Sequence, residues 1–433
     1  MAKSNGFVTV DGEFDSLEDR SFLTIDDYDL SGRNVILRID INSSINPENG
    51  ELLDDTRIKR HSATVKELSD KNARVIILAH QSRPGKLDFV NLEKHGDRMS
   101  QIINKEIKFV DDIYGKKAID YIIKMKNGEI ILLDNVRFDD EEVKLSKFIN
   151  NNFNVQKNSK MVRELSSQAS FFVNDAFAAS HRCQPSIVGF ANNMPALAGR
   201  VMQRELDFLG KAISSGPTPR VAVLGGSKAA DSVAIAENFL EKGVEKILTG
   251  GVVANIFLKA SGVDIGGPST EFIEKHIPHF EKVIKLATKL LKKYKNKIQI
   301  PTDVAINING KRNGINVNNL PQEYPLYDIG IDTLVNYIRI IEEAGTIIAN
   351  GPMGVFEESE FAAGTNEVFR AISNSDGMTV VGGGETAMAF NQMGLANEIR
   401  HISTGGGACI SFMAGETMPA LEAMRRSKNK FNR

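Results

Sequence analysis

Short apolar runs recur along the chain between longer amphipathic stretches. The runs Asn34–Asn42 (NVILRIDIN), Arg74–His80 (RVIILAH), Glu129–Val136 (EIILLDNV) and Phe171–Asp175 (FFVND) read as strands. So do Arg220–Leu224, Lys246–Thr249, Ile298–Val304, Thr346–Asn350 and Met378–Val381. They are apolar at consecutive positions, as strands of a parallel sheet covered by helices on both faces must be. Between them the period changes. From Thr56 to Asp70, Ile58, His61, Val65 and Leu68 fall on one helical side. Ile277–Lys297 reads as a Lys-rich helix with Val283, Leu286, Leu290 and Leu291 on its apolar side and a solvated basic face.

Strand and helix alternate in two blocks, which predicts an α/β protein with two Rossmann-like, three-layer lobes and parallel sheets. Breaker residues at Asn193-Met194-Pro195 mark the divide, and Ala196–Lys211 reads as a helix joining the lobes. Ser214–Pro219 is a second loop signal. The expected boundaries are residues 1–192, a connecting helix over 193–212, a second lobe over 213–400 and a final segment over 401–433.

Composition narrows the function classes. The 433 residues include 53 Lys and Arg against 55 Asp and Glu, so the formal charge is −2. A chain this near neutrality is not a general polyanion binder, and with no Trp and 7 Tyr it lacks a stacking platform for nucleic acid. Two cysteines, Cys183 and Cys409, fit a reducing compartment better than a secreted one. No apolar run is long enough to span a bilayer, and the acidic N-terminus fits neither a secretory nor a transit signal, so a cytoplasmic location is expected.

The second block carries glycine-rich turns directly after strands: Gly225-Gly226-Ser227-Lys228, Gly250-Gly251, Gly382-Gly383-Gly384 and Gly405-Gly406-Gly407, with Asn350-Gly351-Pro352-Met353-Gly354 as a related turn. Glycine lets backbone N–H groups approach a ligand closely, and a helix starting after such a turn favours anionic oxygens. The P-loop pattern is absent. Gly382-x-Gly384-x-x-Ala387 approaches the dinucleotide pattern, but no acid stands at the following strand end to hold a ribose. The first block differs. Its strand ends and one helix start carry Arg38-x-Asp40-x-Asn42, Arg57, His80-x-x-Arg83, Arg137 and His181-Arg182. Arginine forks at the carboxyl ends of several strands suit a small anionic substrate. One lobe thus suits a nucleotide and the other a small anion, with group transfer across a cleft. A nicotinamide-dependent dehydrogenase and a non-catalytic nucleotide sensor are the other two readings.

Taken together, LRIDIN, DDTRIK, LAHQSRP, LLDNVRF, FVNDAFAASHR, VLGGSKAAD, NGPMGVFE, VVGGGET and HISTGGGA, in this order from about Leu23 to Leu421, resemble the phosphoglycerate kinase family. Ser232, where many members have a second lysine, is similar to the archaeal members. The resemblance implies two lobes around a deep cleft with the segment 401–433 returning to the first lobe, a monomer, and transfer of the γ-phosphoryl of MgATP to 3-phosphoglycerate. The phosphoglycerate would be held by Asp40, Asn42, Arg57, His80, Gln81, Ser82, Arg83, Arg137 and Arg182. The nucleotide would be held by Lys228, Asn350, Glu357, Gly383, Gly384, Glu385 and Thr386, with Glu357 on the ribose. Arg57, Lys228 and Gly405, Gly406 and Gly407 would act on the transferring group. Glu385 stands where many members have Asp as a magnesium contact. The extra methylene moves the carboxylate by about 1.5 Å, so a water-bridged contact to Mg²⁺ is the expectation. The first 22 residues and the basic tail Arg425–Arg433 lie outside the resemblance and are expected to be disordered.

Overall fold

The computed structural model describes residues 22–148 and 153–431. The N-terminal extension up to Ser21 lies outside the described residues. The first sheet contains β1 (Leu23–Thr24), β2 (Asn34–Arg38), β3 (Arg74–Leu78), β4 (Ile107–Val110), β5 (Ile130–Leu133), β6 (Phe171–Asn174) and β7 (Ala196–Ala198). They lie in the order β1-β7-β6-β2-β3-β5-β4 with parallel pairing throughout. Successive residues point to opposite faces. Val35 and Leu37 enter one buried cluster while Ile36 enters another, which is why these strands are apolar at every position.

The second sheet first takes β8 (Arg220–Leu224), β9 (Lys246–Thr249) and β10 (Ile298–Gln299) from the chain. The chain next builds a small antiparallel sheet from β11 (Asp303–Ile308), β12 (Lys311–Asn316) and β13 (Leu326–Ile329). It then returns with β14 (Thr346–Asn350), β15 (Met378–Gly382) and β16 (His401–Ile402), giving the parallel order β10-β9-β8-β14-β15-β16. Strand order reverses beside β2 in the first sheet and between β8 and β14 in the second. Ligands of open α/β sheets bind beyond the carboxyl ends at such points.

Several expectations need correction. Ile298–Val304 is not one strand: β10 ends before Pro301, which has no N–H for a ladder, and β11 joins the other sheet. Ile277–Lys297 is not one helix. Gly267–His276 and Phe280–Lys293 are separate, broken around Pro278, and the latter keeps Leu290 inward with its lysines exposed. Ala196–Ala198 is β7, and the helix begins only at Arg200, running Arg200–Gly210. The tail is not disordered as far as it is described: Pro419–Phe431 is a helix burying Ala420, Ala423, Met424 and Ser427. It lies against the first sheet, where Ser427 Oγ accepts the Ala196 N–H at 2.8 Å and the Tyr28 hydroxyl donates to the Phe431 carbonyl.

A candidate active site between a basic patch and a glycine-lined pocket

The carboxyl ends of β2, β3, β5 and β6 carry the expected polar residues. Arg57 enters at the second position of the helix Thr56–Asp70, whose start is fixed by Asp54 accepting the Thr56 N–H at 3.0 Å. Its guanidinium pairs directly with Asp40, which is buried. Burial alone would raise the Asp40 carboxyl. His80, Arg57, His61 and Arg38 outweigh it and hold the group well below the usual carboxylate range. Burial pushes His80 itself well below the ordinary histidine range. His80 Nδ1 accepts from Arg38 Nη2 at 3.1 Å, which leaves the proton on Nε2. Asn42 Oδ1 accepts the Ser82 N–H at 2.8 Å, and Ser82 sits at φ 56°. Arg137 donates to the Ser82 carbonyl; burial and the neighbouring Arg182 and Arg38 bring it down to about 10. Arg182 is exposed at the rim, its Nε donating to His181 Nε2 at 3.4 Å.

Three expected residues stand differently. Gln81 is fully buried and its amide is spent internally. Oε1 accepts from Ser43 N–H and His95 Nε2, and Nε2 donates to the Ser43 carbonyl. These bonds brace the loop. Arg83 is exposed on the turn after Ser82, and the fixed contacts do not draw it to the others. Arg38 points inward, donating to Ser186 Oγ at 3.0 Å beside the buried Glu142 carboxyl, which burial pushes up to about 7. It lends charge to the patch from beneath.

The second pocket lies at the reversal between β8 and β14. Gly225, Gly226, Lys228, Ser232, Asn350, Gly351, Gly383, Gly384, Glu385 and Thr386 line it. Some glycines here serve packing. Gly226 donates to the Pro352 carbonyl at 2.7 Å and Gly251 to that of Met353 at 2.6 Å, so the three turns interlock. Gly383, at φ 84°, lies so close that a Cβ would stand 2.6 Å from Asn350 Oδ1. Gly384, by contrast, faces open space at the start of the helix Gly384–Gln392. Thr386 Oγ1 accepts the Gly351 N–H at 2.7 Å and keeps its own proton to donate. Lys228 Nζ and Glu385 Oε1 stand 3.8 Å apart, both more than half exposed. Glu357 is exposed on the turn beyond Gly354, outside this lining.

Between the two sits Gly405–Gly407. A Cβ on Gly405 would meet the Phe177 ring at 2.5 Å, and one on Gly407 would lie 3.8 Å from His181 Nε2, whereas Gly406 has nothing near it. Sequence reasoning missed what holds this loop. Glu205, buried on the helix Arg200–Gly210, accepts from His401 Nε2 at 3.0 Å and from the Thr404 N–H at 2.8 Å. Burial works against its charge, but these bonds prevail and keep the carboxyl below its ordinary range. Nothing local in the sequence marks it, because its partners lie almost 200 positions away.

Glu385 is the only acid lining the second pocket, and no group of three metal-binding side chains exists among the described residues. That donor set fits a divalent cation only if nucleotide phosphates supply most of the ligands, as they do for Mg²⁺.

The family model described as phosphoglycerate kinase matches residues 25–416. A phosphoglycerate kinase of Methanothermus fervidus is 47% identical over 410 residues, covering 94% of this chain and 98% of the relative. One of Thermoplasma acidophilum is 43% identical over 411 residues, covering 95% and 99%. The crystal structure of phosphoglycerate kinase from Pyrococcus horikoshii matches at a TM-score of 0.79 and 37% identity, covering 94% of this chain and all of that one.

Proposed function

Since the chain belongs to the phosphoglycerate kinase family, and so is a phosphotransferase with a carboxyl acceptor, we propose how its own residues divide that work. The basic patch of Asp40, Asn42, Arg57, His80, Arg137 and Arg182 takes 3-phosphoglycerate, with Ser82 and Gln81 shaping the loop and Arg83 joining from the rim. Lys228, Asn350, Gly383, Gly384, Glu385 and Thr386 take the nucleotide, and Glu357 takes its ribose. In this reading the first lobe runs past the expected 192 to take in β7, Arg200–Gly210 is the connecting helix, and the second lobe extends from 213 to 400.

The acceptor carboxylate is ionised at neutral pH and attacks phosphorus without a general base, so the protein's task is alignment and charge neutralisation. Arg57 bridges the transferring group, and Lys228 offsets charge on the nucleotide side. Amides of Gly405–Gly407 face the same group. Glu385 would hold Mg²⁺ through water, and the ion would neutralise phosphate charge. Exclusion of water by the two lobes keeps ATP from hydrolysis. We place the reaction in the cytoplasm, with the chain acting as a monomer.

The observation that carries the reading is the seat of Gly405–Gly407, with Phe177 and His181 of the basic half beside it and β16 of the nucleotide half leading into it. A coupled assay tests it. ATP and 3-phosphoglycerate should yield 1,3-bisphosphoglycerate in the presence of Mg²⁺; nucleotide binding without turnover would favour a sensor instead.

A further inference from the structure

The helix Thr56–Asp70 carries Arg57, and one turn later it carries His61, which has no role in the scheme above. His61 is buried and polar at both ends. Its Nε2 accepts the backbone N–H of Asp40 at 3.3 Å, and its Nδ1 lies 2.9 Å from Asp175 Oδ2. A ring nitrogen that accepts an amide N–H bears no proton, so the proton sits on Nδ1 and is donated to Asp175. The other Asp175 oxygen accepts the N–H groups of Val201 and Met202 at 2.8 and 3.1 Å. These amides open the helix Arg200–Gly210 and have no partner inside it. A carboxylate there also meets the positive end of the helix dipole.

The bonds therefore form one chain, buried as far as Asp40 and ending at the partly exposed Arg57: connecting helix, Asp175, His61, Asp40, Arg57. The helix Thr56–Asp70 reaches toward the glycine loop as well, because Arg60 Nη1 donates to the Ile402 carbonyl at 3.3 Å, three residues before Gly405. We infer that His61 is a positioning residue for phosphoryl transfer, fixing Asp40, and through it Arg57, relative to the helix that joins the two lobes. The inference rests on the assignment of Arg57 to the transferring group. A histidine that only filled core space would not need one particular tautomer bonded at both nitrogens.

Two substitutions in the full chain separate the links. His61→Asn keeps an N–H near the Nδ1 position for Asp175 and removes the acceptor for Asp40. His61→Gln places a carbonyl near the Nε2 position and releases Asp175. Each should lower kcat about tenfold, the worth of one positioning hydrogen bond, with KM for both substrates within about threefold of wild type. The Asn variant should melt close to wild type. Unchanged kcat in folded His61→Asn protein would overturn the inference. So would long-range ¹H–¹⁵N spectra of the wild type showing the proton on Nε2. If Arg57→Ala turned over normally, the assignment of Arg57 would fail while the tautomer result still stood, so the two failures are distinguishable.

Discussion

Replacing Arg57 by alanine removes the one guanidinium that both pairs with Asp40 and stands open to the site. Its side chain is 32% exposed, so it works in partly screened surroundings rather than a dry interior. At an effective dielectric near 20, a unit charge about 4 Å from a phosphoryl oxygen is worth about 4 kcal/mol. Loss of one transition-state contact of this kind typically lowers turnover by about 10²–10³, or about 2.7–4 kcal/mol, and we expect that range here. KM for the nucleotide should change little, because Lys228, Asn350 and Thr386 occupy a separate pocket. The substitution also leaves the buried Asp40 carboxylate with one fewer counter-charge, which destabilises the fold. Arg57→Ala combined with Asp40→Asn should therefore recover the melting temperature without recovering kcat. The assay couples 1,3-bisphosphoglycerate formation to NADH oxidation, with both substrates varied. Turnover within about threefold of wild type, in protein that melts normally, would refute the role given to Arg57.

Glu205→Gln weakens the acceptor that holds His401 and Thr404, and should lower kcat about tenfold with substrate KM values preserved; steady-state kinetics in both directions measure this. In Glu385→Ala the Mg²⁺ concentration for half-maximal activity should rise, and an unchanged Mg²⁺ titration would remove Glu385 from the site. His95, buried with Nδ1 unpartnered, is held down at about 4 against an ordinary 6.5 by burial. Below pH 6.5 the unfolded chain gains a proton there that the folded chain does not, so stability falls as pH drops from 6.5 toward 4. Between pH 7.5 and 5.5 the wild type should lose about 1.4 kcal/mol that His95→Gln does not lose, measured by urea unfolding at each pH.

The inner strands were legible because residues buried on both faces leave an unbroken Val/Ile/Leu signature, as in β2, β3 and β8. Edge and short elements left no such mark. In β4, Lys108 is exposed between buried Ile107 and Val110; β16 has two residues, and β12 (KRNGIN) is largely exposed. The helix Pro419–Phe431 hid behind its basic composition, since the face it buries carries one large apolar residue, Met424, among Ala420, Ala423 and Ser427. The site divides in the same way. Arginines and glycines at strand ends were visible because topology alone sends them to one rim. Their directions were not: Arg38 turns inward and Gln81 is consumed by Ser43, choices made by packing against residues distant in sequence. The couplings Glu205–His401 and His61–Asp175 join positions 196 and 114 apart, which no local pattern could reveal.

The account stands on direct passage of phosphorus from nucleotide to carboxylate between the two pockets. A single-turnover experiment with γ-labelled ATP, 3-phosphoglycerate and hydroxylamine as trap measures that passage. The account predicts one acyl hydroxamate formed for each ADP released, and no ADP when 3-phosphoglycerate is left out. ADP and free phosphate appearing without hydroxamate would contradict it.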